Sequence, residues 1–587
     1  METVCSKTLP DSTCMMEQVD AVRDLFAGFE RYNRDFFIPY FISMAYFSKA
    51  EMTRRSNGAP EDRWIACLEL LKFNADLWNR GWSGSLRAIE GFVSKEFESY
   101  CAALMSSLFS SKGEDLCAFF SRQLDMIRGV GRNLPEAIEA IEPEYGFHFE
   151  RAENPMVVET ERFRLYRIEP TDPGVKVDQA MKPVLIIPPF VLGSNILGFL
   201  PGENKSYTHC FANQGVPVYI RIMKDIQETV ALQTMTMEED ALDTKFFCEK
   251  IMEIHGKKVT LNGYCQGGFS AVCHILSGEL DHLVDALITC VAPMDGTRSK
   301  SLGDFLRRLP ERFNNLLYGT KTLPNGNQVA DGQLMGWVYK LKSIEEEAPV
   351  VAYLRDMFMI SRMEKHARSI SKTAAGLNYW LRNERTDIPM SITQMSFASY
   401  NIPVTDDGTL PVTLFGKELN FKGIEKKKIP WLLCYGENDD LVEKETALAP
   451  ADFMEVEAVP FPKGHVAIAT SWSHPESAYA LHTRFGPDNR YRGPVRFHLD
   501  LNEELDKTAK AEKVTKKPVK KNKDSDAEKE SEKNGAVKKA RKKTTGKTAK
   551  KTTATAKKKT AGKTAQPKKT ASKAGTAGKK KSATDAN

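Results

Sequence analysis

The twelve residues Val259 to Ser270, Val-Thr-Leu-Asn-Gly-Tyr-Cys-Gln-Gly-Gly-Phe-Ser, constrain the fold more than any other stretch. A short apolar run reaches a cysteine with glycine two residues away on either side, and a helix-compatible run follows. Gly263 and Gly267 flank Cys265 at the spacing of a nucleophile elbow, a strained strand-to-helix turn that lifts a reactive side chain clear of a sheet. Glycine is needed at both positions because strand and helix backbones approach closely there. A thiol at a helix N-terminus faces the positive end of the helix dipole, which favours the nucleophilic thiolate. A glycine turn holding a buried structural cysteine is the competing reading, and the rest of the chain decides between them.

Around this stretch the texture alternates. Val157 to Tyr166 reads as a strand or hairpin, and Pro183 to Pro188, Val216 to Ile222, Lys258 to Leu261, Ala286 to Ala292 and Ile429 to Gly436 read as buried strands. Helical segments separate several of them: Ser206 to Gln214, Met237 to His255 and Gly267 to Ser277. Short continuous apolar strands alternating with helices predict an α/β fold, a mostly parallel sheet covered on both faces. Between about 295 and 428 the alternation stops. Helix-like segments there (Leu302 to Leu317, Ile344 to Ile360, Thr373 to Leu381) form an insert at the carboxyl ends of the strands, where a cap would cover a site.

Two further regions flank residues 151–500. Residues 1–150 are expected to be helical, with Trp64 to Leu71, Phe73, Leu77 and Trp78 at helical spacing, and with an aromatic stripe of Phe36, Phe37, Tyr40, Phe41, Tyr46 and Phe47 read as core. Residues 501–587 carry 28 Lys+Arg against 10 Asp+Glu; with +6 overall, the remaining chain sits near −12. That segment of Lys, Ala, Thr, Gly and Ser has too little apolar surface to fold and is expected to be disordered. Its charge density suits non-specific contact with DNA or another polyanion. Eleven cysteines without a CxxC pair or metal-ligand spacing point to reduced thiols, no metal and a cytoplasmic setting. The longest apolar run, Val184 to Leu200, is broken by Pro188-Pro189 and two glycines, so no transmembrane segment is expected.

A cysteine nucleophile requires a base, and the base an orienting acid. On an elbow fold these follow in the order nucleophile, acid, histidine. Asp439 follows the strand ending at Gly436 and is preferred to Asp440 because Val442 stands three residues on. His465 follows the apolar run Val456 to Phe461 and is preferred to His274, on the elbow helix and facing neighbours or solvent, and to His474, in a Ser-His-Pro loop. The oxyanion donors are then the backbone N–H of Gln266 and that of Val191, beyond two prolines that have none to offer.

Together these pieces resemble polyhydroxyalkanoate synthases, through Gly263-Tyr264-Cys265-Gln266-Gly267-Gly268, Pro188-Pro189-Phe190, Glu203-Asn204, Asp439 with Val442, and Gly464-His465, over about residues 157–473. The resemblance implies an α/β-hydrolase core in which Cys265 carries the acyl group, with His465 as base and Asp439 as its partner. Hydroxyacyl-CoA would be polymerised to polyester with release of coenzyme A, without a cofactor; Asp439 or His465 would activate the second hydroxyl. It also implies a homodimer through the cap and residence on polyester granules. The chain departs from that family at Phe190, where tryptophan is usual, at Leu192-Gly193, at Met223 to Ile226 and at Asp440. A thioesterase or hydrolase of the same fold, and a non-catalytic granule scaffold, are the alternatives.

Overall fold

The structure, a computed structural model, describes residues 12–55, 60–109, 112–309, 319–361 and 370–499. The basic segment 501–587, expected to be disordered, lies outside them, as does the far end of the helix expected over Leu302 to Leu317.

An eight-stranded sheet carries the fold, in the spatial order β1-β2-β4-β3-β5-β6-β12-β13. β1 (Met156–Glu159) and β2 (Phe163–Ile168) form a leading antiparallel hairpin, and β2 pairs antiparallel with β4 (Val218–Met223). All other pairings, through β3 (Val184–Ile187), β5 (Val259–Tyr264), β6 (Val284–Cys290), β12 (Trp431–Gly436) and β13 (Glu457–Phe461), are parallel. β3 and β5 are buried along their whole length, which is why they read as continuous apolar runs: both faces are covered. α5 (Tyr207–Ala212) precedes β4, α6 (Met237–His255) opens with a capping box between Thr236 and Glu239 and ends at left-handed Gly256, and β5 leads into α7 (Gln266–Ser277). The chain has an α/β-hydrolase fold, as the residues led one to expect.

The insert is less uniformly helical than expected. It contains α8 (Ser301–Arg308), α9 (Gly332–Lys342), α10 (Pro349–Ser361), α11 (Lys372–Asn383) and α12 (Met390–Asn401). It also builds a three-stranded sheet from β7 (Thr320–Thr322), β8 (Gln328–Ala330) and β9 (Ile388–Pro389). A hairpin of β10 (Thr409–Leu414) and β11 (Lys417–Asn420) follows, and its Leu410, Val412, Leu414 and Leu419 join the main core. The single helix expected over Ile344 to Ile360 is broken: Ala348 is extended (ψ 144°) before Pro349, as a residue ahead of proline prefers.

The described residues before 140 are mainly helical as expected, in α1 (Ser12–Arg55), α2 (Pro60–Phe109), α3 (Leu116–Arg128) and α4 (Leu134–Ala140). The inner face of α1 and α2 packs on the cap: Phe36, Tyr40, Phe47, Phe73 and Leu77 share a core with Leu302, Leu306, Val338, Leu341 and Ile344. Arg80 seals the seam, its Nε 2.9 Å from a Glu345 carboxylate oxygen and its Nη2 donating to the Lys342 carbonyl. The aromatic stripe is therefore only partly core. Phe41 is 60% exposed, and on α2 Trp64 (75%), Leu68, Leu71, Trp78 and Trp82 face outward.

Candidate active site

The elbow is built as its glycines require. Cys265 stands at φ +52°, ψ −123°, a conformation a side-chain-bearing residue holds only at a cost of about 1–3 kcal/mol. A Cβ on Gly263 would lie 2.4 Å from the Gly268 Cα, and one on Gly267 would lie 2.3 Å from the Ile187 carbonyl oxygen. The Cys265 N–H donates to the Cys290 carbonyl of β6 (2.9 Å), tying the turn to the sheet. Cys265 caps α7 with no side-chain bond of its own to the helix, leaving the sulfur free to face the cleft.

His465 and Asp439 lie on the same rim, beyond the carboxyl ends of β13 and β12, which pair Gly436 with Phe461. His465 Nδ1 is 2.8 Å from Asp439 Oδ2, and Asp439 Oδ1 accepts the N–H groups of Leu441 and Val442, both at 2.9 Å. The Tyr264 hydroxyl, one residue before the cysteine, donates to the His465 carbonyl (2.8 Å) and fastens the histidine loop to β5. With Nδ1 turned to the carboxylate, Nε2 faces the thiol. It has no hydrogen-bond partner of full geometry among the described residues, yet Cys265 is near enough to act on its charge. Such bonds commonly tighten only when substrate arrives. Burial works against a charged imidazole here, but Asp439 and Cys265 outweigh it and hold His465 well above the usual histidine range.

The alternatives considered in the sequence fall elsewhere. The Asp440 side chain is 71% exposed and pairs outward with Lys342 Nζ at 3.1 Å. His274 does not reach solvent: it is buried, with Nε2 3.0 Å from Asp240, whose other carboxylate oxygen meets Arg221 Nη1 at 2.7 Å. His474 is held in a turn, accepting the Glu476 N–H.

Val191 and Gln266 come together at the elbow, but not as two empty donors. Gln266, as the first residue of α7, has an N–H the helix itself leaves unsatisfied. The Val191 N–H points at the Gln266 side-chain oxygen (3.3 Å). The loop bearing Val191 is fixed from below by Phe190, which lies under the Arg221 guanidinium (5.8 Å to the ring centre).

A narrow cleft leads to Cys265 between the sheet and the cap. Its wall is mainly apolar, with Leu302, Leu306, Met335, Ile388, Phe397 and Leu441, and Tyr339, Thr393, Ser396 and Tyr400 also line it. Burial first, and the nearby Cys265 second, push the Tyr339 phenol up to about 12 and hold that of Tyr400 well above the usual tyrosine range, so both stay neutral. Sequence reasoning missed these four. The aromatic and Met-rich texture of the insert was their one visible signal, and it gave no position.

Comparison with known proteins adds little beyond the fold. No family model matches the chain, and no curated protein matches it. Among solved structures it resembles a thermophilic esterase from Thermogutta terrifontis at 15% identity and TM-score 0.30, over 54% of this chain and 92% of that one. It resembles the thioesterase domain from the curacin biosynthetic pathway at 11% identity and TM-score 0.30, over 54% and 95%. A meta-cleavage product hydrolase from Pseudomonas fluorescens IP01 follows at 12% and 0.28, over 54% and 93%. Likeness this distant carries nothing about substrate. The fold stands on the strand order, the elbow and the placement of the site at the strand ends.

Proposed function

We propose that this chain is an acyl-transfer enzyme that takes an acyl group from a thioester onto Cys265. The observation that carries this reading is the strained Cys265 set against a buried His465 whose other nitrogen is bound to Asp439. The Cys265 sulfur attacks the thioester carbonyl carbon, the bond to the leaving thiolate breaks, and His465 supplies that thiolate with its proton. The developing oxyanion sits between the N–H groups of Gln266 and Val191. An acceptor hydroxyl then attacks the acyl-enzyme, gives its proton to His465 and releases Cys265. Asp439 serves poorly as that base, since its side chain is fully covered and both oxygens already accept hydrogen bonds.

The acceptor separates two readings. Hydrolysis asks for no acceptor beyond water, and the fold alone does not choose between the two. Polymerisation of hydroxyacyl-CoA to polyester draws on the resemblance of Gly263 to Gly268, Pro188 to Phe190 and Gly464-His465 to polyhydroxyalkanoate synthases. It is supported by an apolar, cap-covered approach to a thiol only 6% exposed, since shielding from water favours a hydroxyl carried in on substrate. The outward apolar face of α2 (Trp64, Leu68, Leu71, Trp78, Trp82) suits contact with an apolar polymer surface. Purified chain given short and medium hydroxyacyl-CoA tests both: CoA release with insoluble polyester supports polymerisation, CoA release with soluble hydroxy acid supports hydrolysis, and no CoA release with either refutes acyl transfer.

A further inference from the structure

The Gln266 side chain joins three parts of the site that a substrate must separate. Its Oε1 accepts the Val191 N–H at 3.3 Å, and its Nε2 donates to the Ser396 hydroxyl at 2.8 Å. Ser396 belongs to α12 of the cap, Val191 to the loop after β3, and Gln266 itself to the residue after the nucleophile. The cap reaches the same loop twice more, through the Thr386 N–H on the Val191 carbonyl (3.1 Å) and the Trp380 indole N–H on the Leu192 carbonyl (3.0 Å). Only the amide oxygen can accept from Val191, so the orientation of the Gln266 amide follows from its partners.

An oxyanion hole is defined by where the substrate oxygen goes, and here a carboxamide oxygen stands beside one of its donors. Val191 is buried, so its N–H would lack a partner if the glutamine were elsewhere. A neutral amide oxygen is also a close chemical match for a thioester carbonyl. We propose that Gln266 holds the place of the substrate carbonyl and latches the cap: a thioester oxygen takes over the Val191 N–H, the displaced amide loses its alignment with Ser396, and α12 is released from the elbow. Substrate recognition at the carbonyl and opening of the cap over Cys265 are then one event. This rests on Cys265 being the acylated residue, but its test does not depend on turnover.

The test is the rate at which iodoacetamide alkylates Cys265, followed by the mass of the peptide that contains it. Gln266→Ala and Ser396→Ala both speed alkylation, by roughly three- to tenfold, the worth of about one hydrogen bond holding the cap closed. The double substitution is no faster than Gln266→Ala alone, because the Ser396 contact runs through the glutamine, and Ser396→Thr, which keeps the hydroxyl, restores the native rate. Unchanged alkylation in both single variants, or effects that multiply in the double variant, would overturn the latch. Should Gln266→Ala fail to fold, Ser396→Ala against Ser396→Thr decides alone: equal rates overturn the proposal. Faster alkylation without CoA release from hydroxyacyl-CoA would leave the latch standing and remove the enzymatic reading instead.

Discussion

Asp439 meets His465 Nδ1 at 2.8 Å with one carboxylate oxygen and takes the Leu441 and Val442 N–H groups with the other, whereas the neighbouring Asp440 points away to Lys342. One carboxylate is fixed by three groups inside the fold, and the other is exposed and held by one cation. The pair gives a discriminating experiment. Asp439→Asn lowers kcat by roughly 10³- to 10⁴-fold, because the amide no longer selects the working imidazole tautomer. Asp440→Asn changes stability by less than about 1 kcal/mol and leaves turnover near native. Steady-state CoA release and urea midpoints read both.

Glu384 supplies a pH dependence with a definite sign. Burial, opposed by the Asn195 amide and by Arg385, raises its carboxyl to about 7, where it sits beside left-handed Gly193 of the loop after β3. The native state thus keeps a proton that the unfolded chain gives up near pH 4.5. Stability falls as pH rises above that value, and the loss is complete once pH passes about 7. Glu384→Gln removes the ionisable group, so its unfolding free energy from urea titration matches native at pH 4 and exceeds it at pH 8, by about 1–3 kcal/mol. A constant difference across that range would show that the proton is not involved.

At the elbow, Gly263→Ala places a methyl 2.4 Å from backbone of α7 and cannot be relieved by a side-chain movement. It costs about 3 kcal/mol or more, seen as a lower thermal midpoint. Gly91, with nothing within 4 Å of its added Cβ, lies inside α2, so Gly91→Ala gains about 0.5–1 kcal/mol from helix propensity in the same assay.

The basic C-terminal segment gives a salt-dependent prediction from charge alone. A chain ending at Leu505 loses DNA affinity that the full chain shows at low salt, and in the full chain that affinity falls steeply as salt rises. Equal binding by both chains in a filter-binding or anisotropy titration would remove the polyanion role.

How much of this was legible in the sequence follows from where each signal is local. The elbow, the parallel strands and the order of Cys265, Asp439 and His465 are readable because glycine spacing, apolar runs and strand-end position are encoded within a few residues. The preference for Asp439 over Asp440 was legible through Val442, whose N–H does bind Asp439. The break at Pro349 was encoded locally and overlooked. What could not be read depends on distant packing. Helical periodicity cannot say which face of α1 meets the cap, so Phe41 was read as core with the rest of its stripe and is exposed. His274 became a buried partner of Asp240 only once α6 and α7 lay side by side. Ser396, Tyr339 and Tyr400 reach the cleft through the course of the cap, which no short motif specifies.

The most direct measurement is intact-peptide mass spectrometry after brief exposure of the purified chain to 3-hydroxyacyl-CoA, with CoA release followed in parallel. The account predicts one acyl adduct on the peptide bearing Cys265, stoichiometric CoA release on the same time course, and loss of both in Cys265→Ala while the fold is retained. Undiminished CoA release by Cys265→Ala, or an adduct confined to another residue, would contradict it.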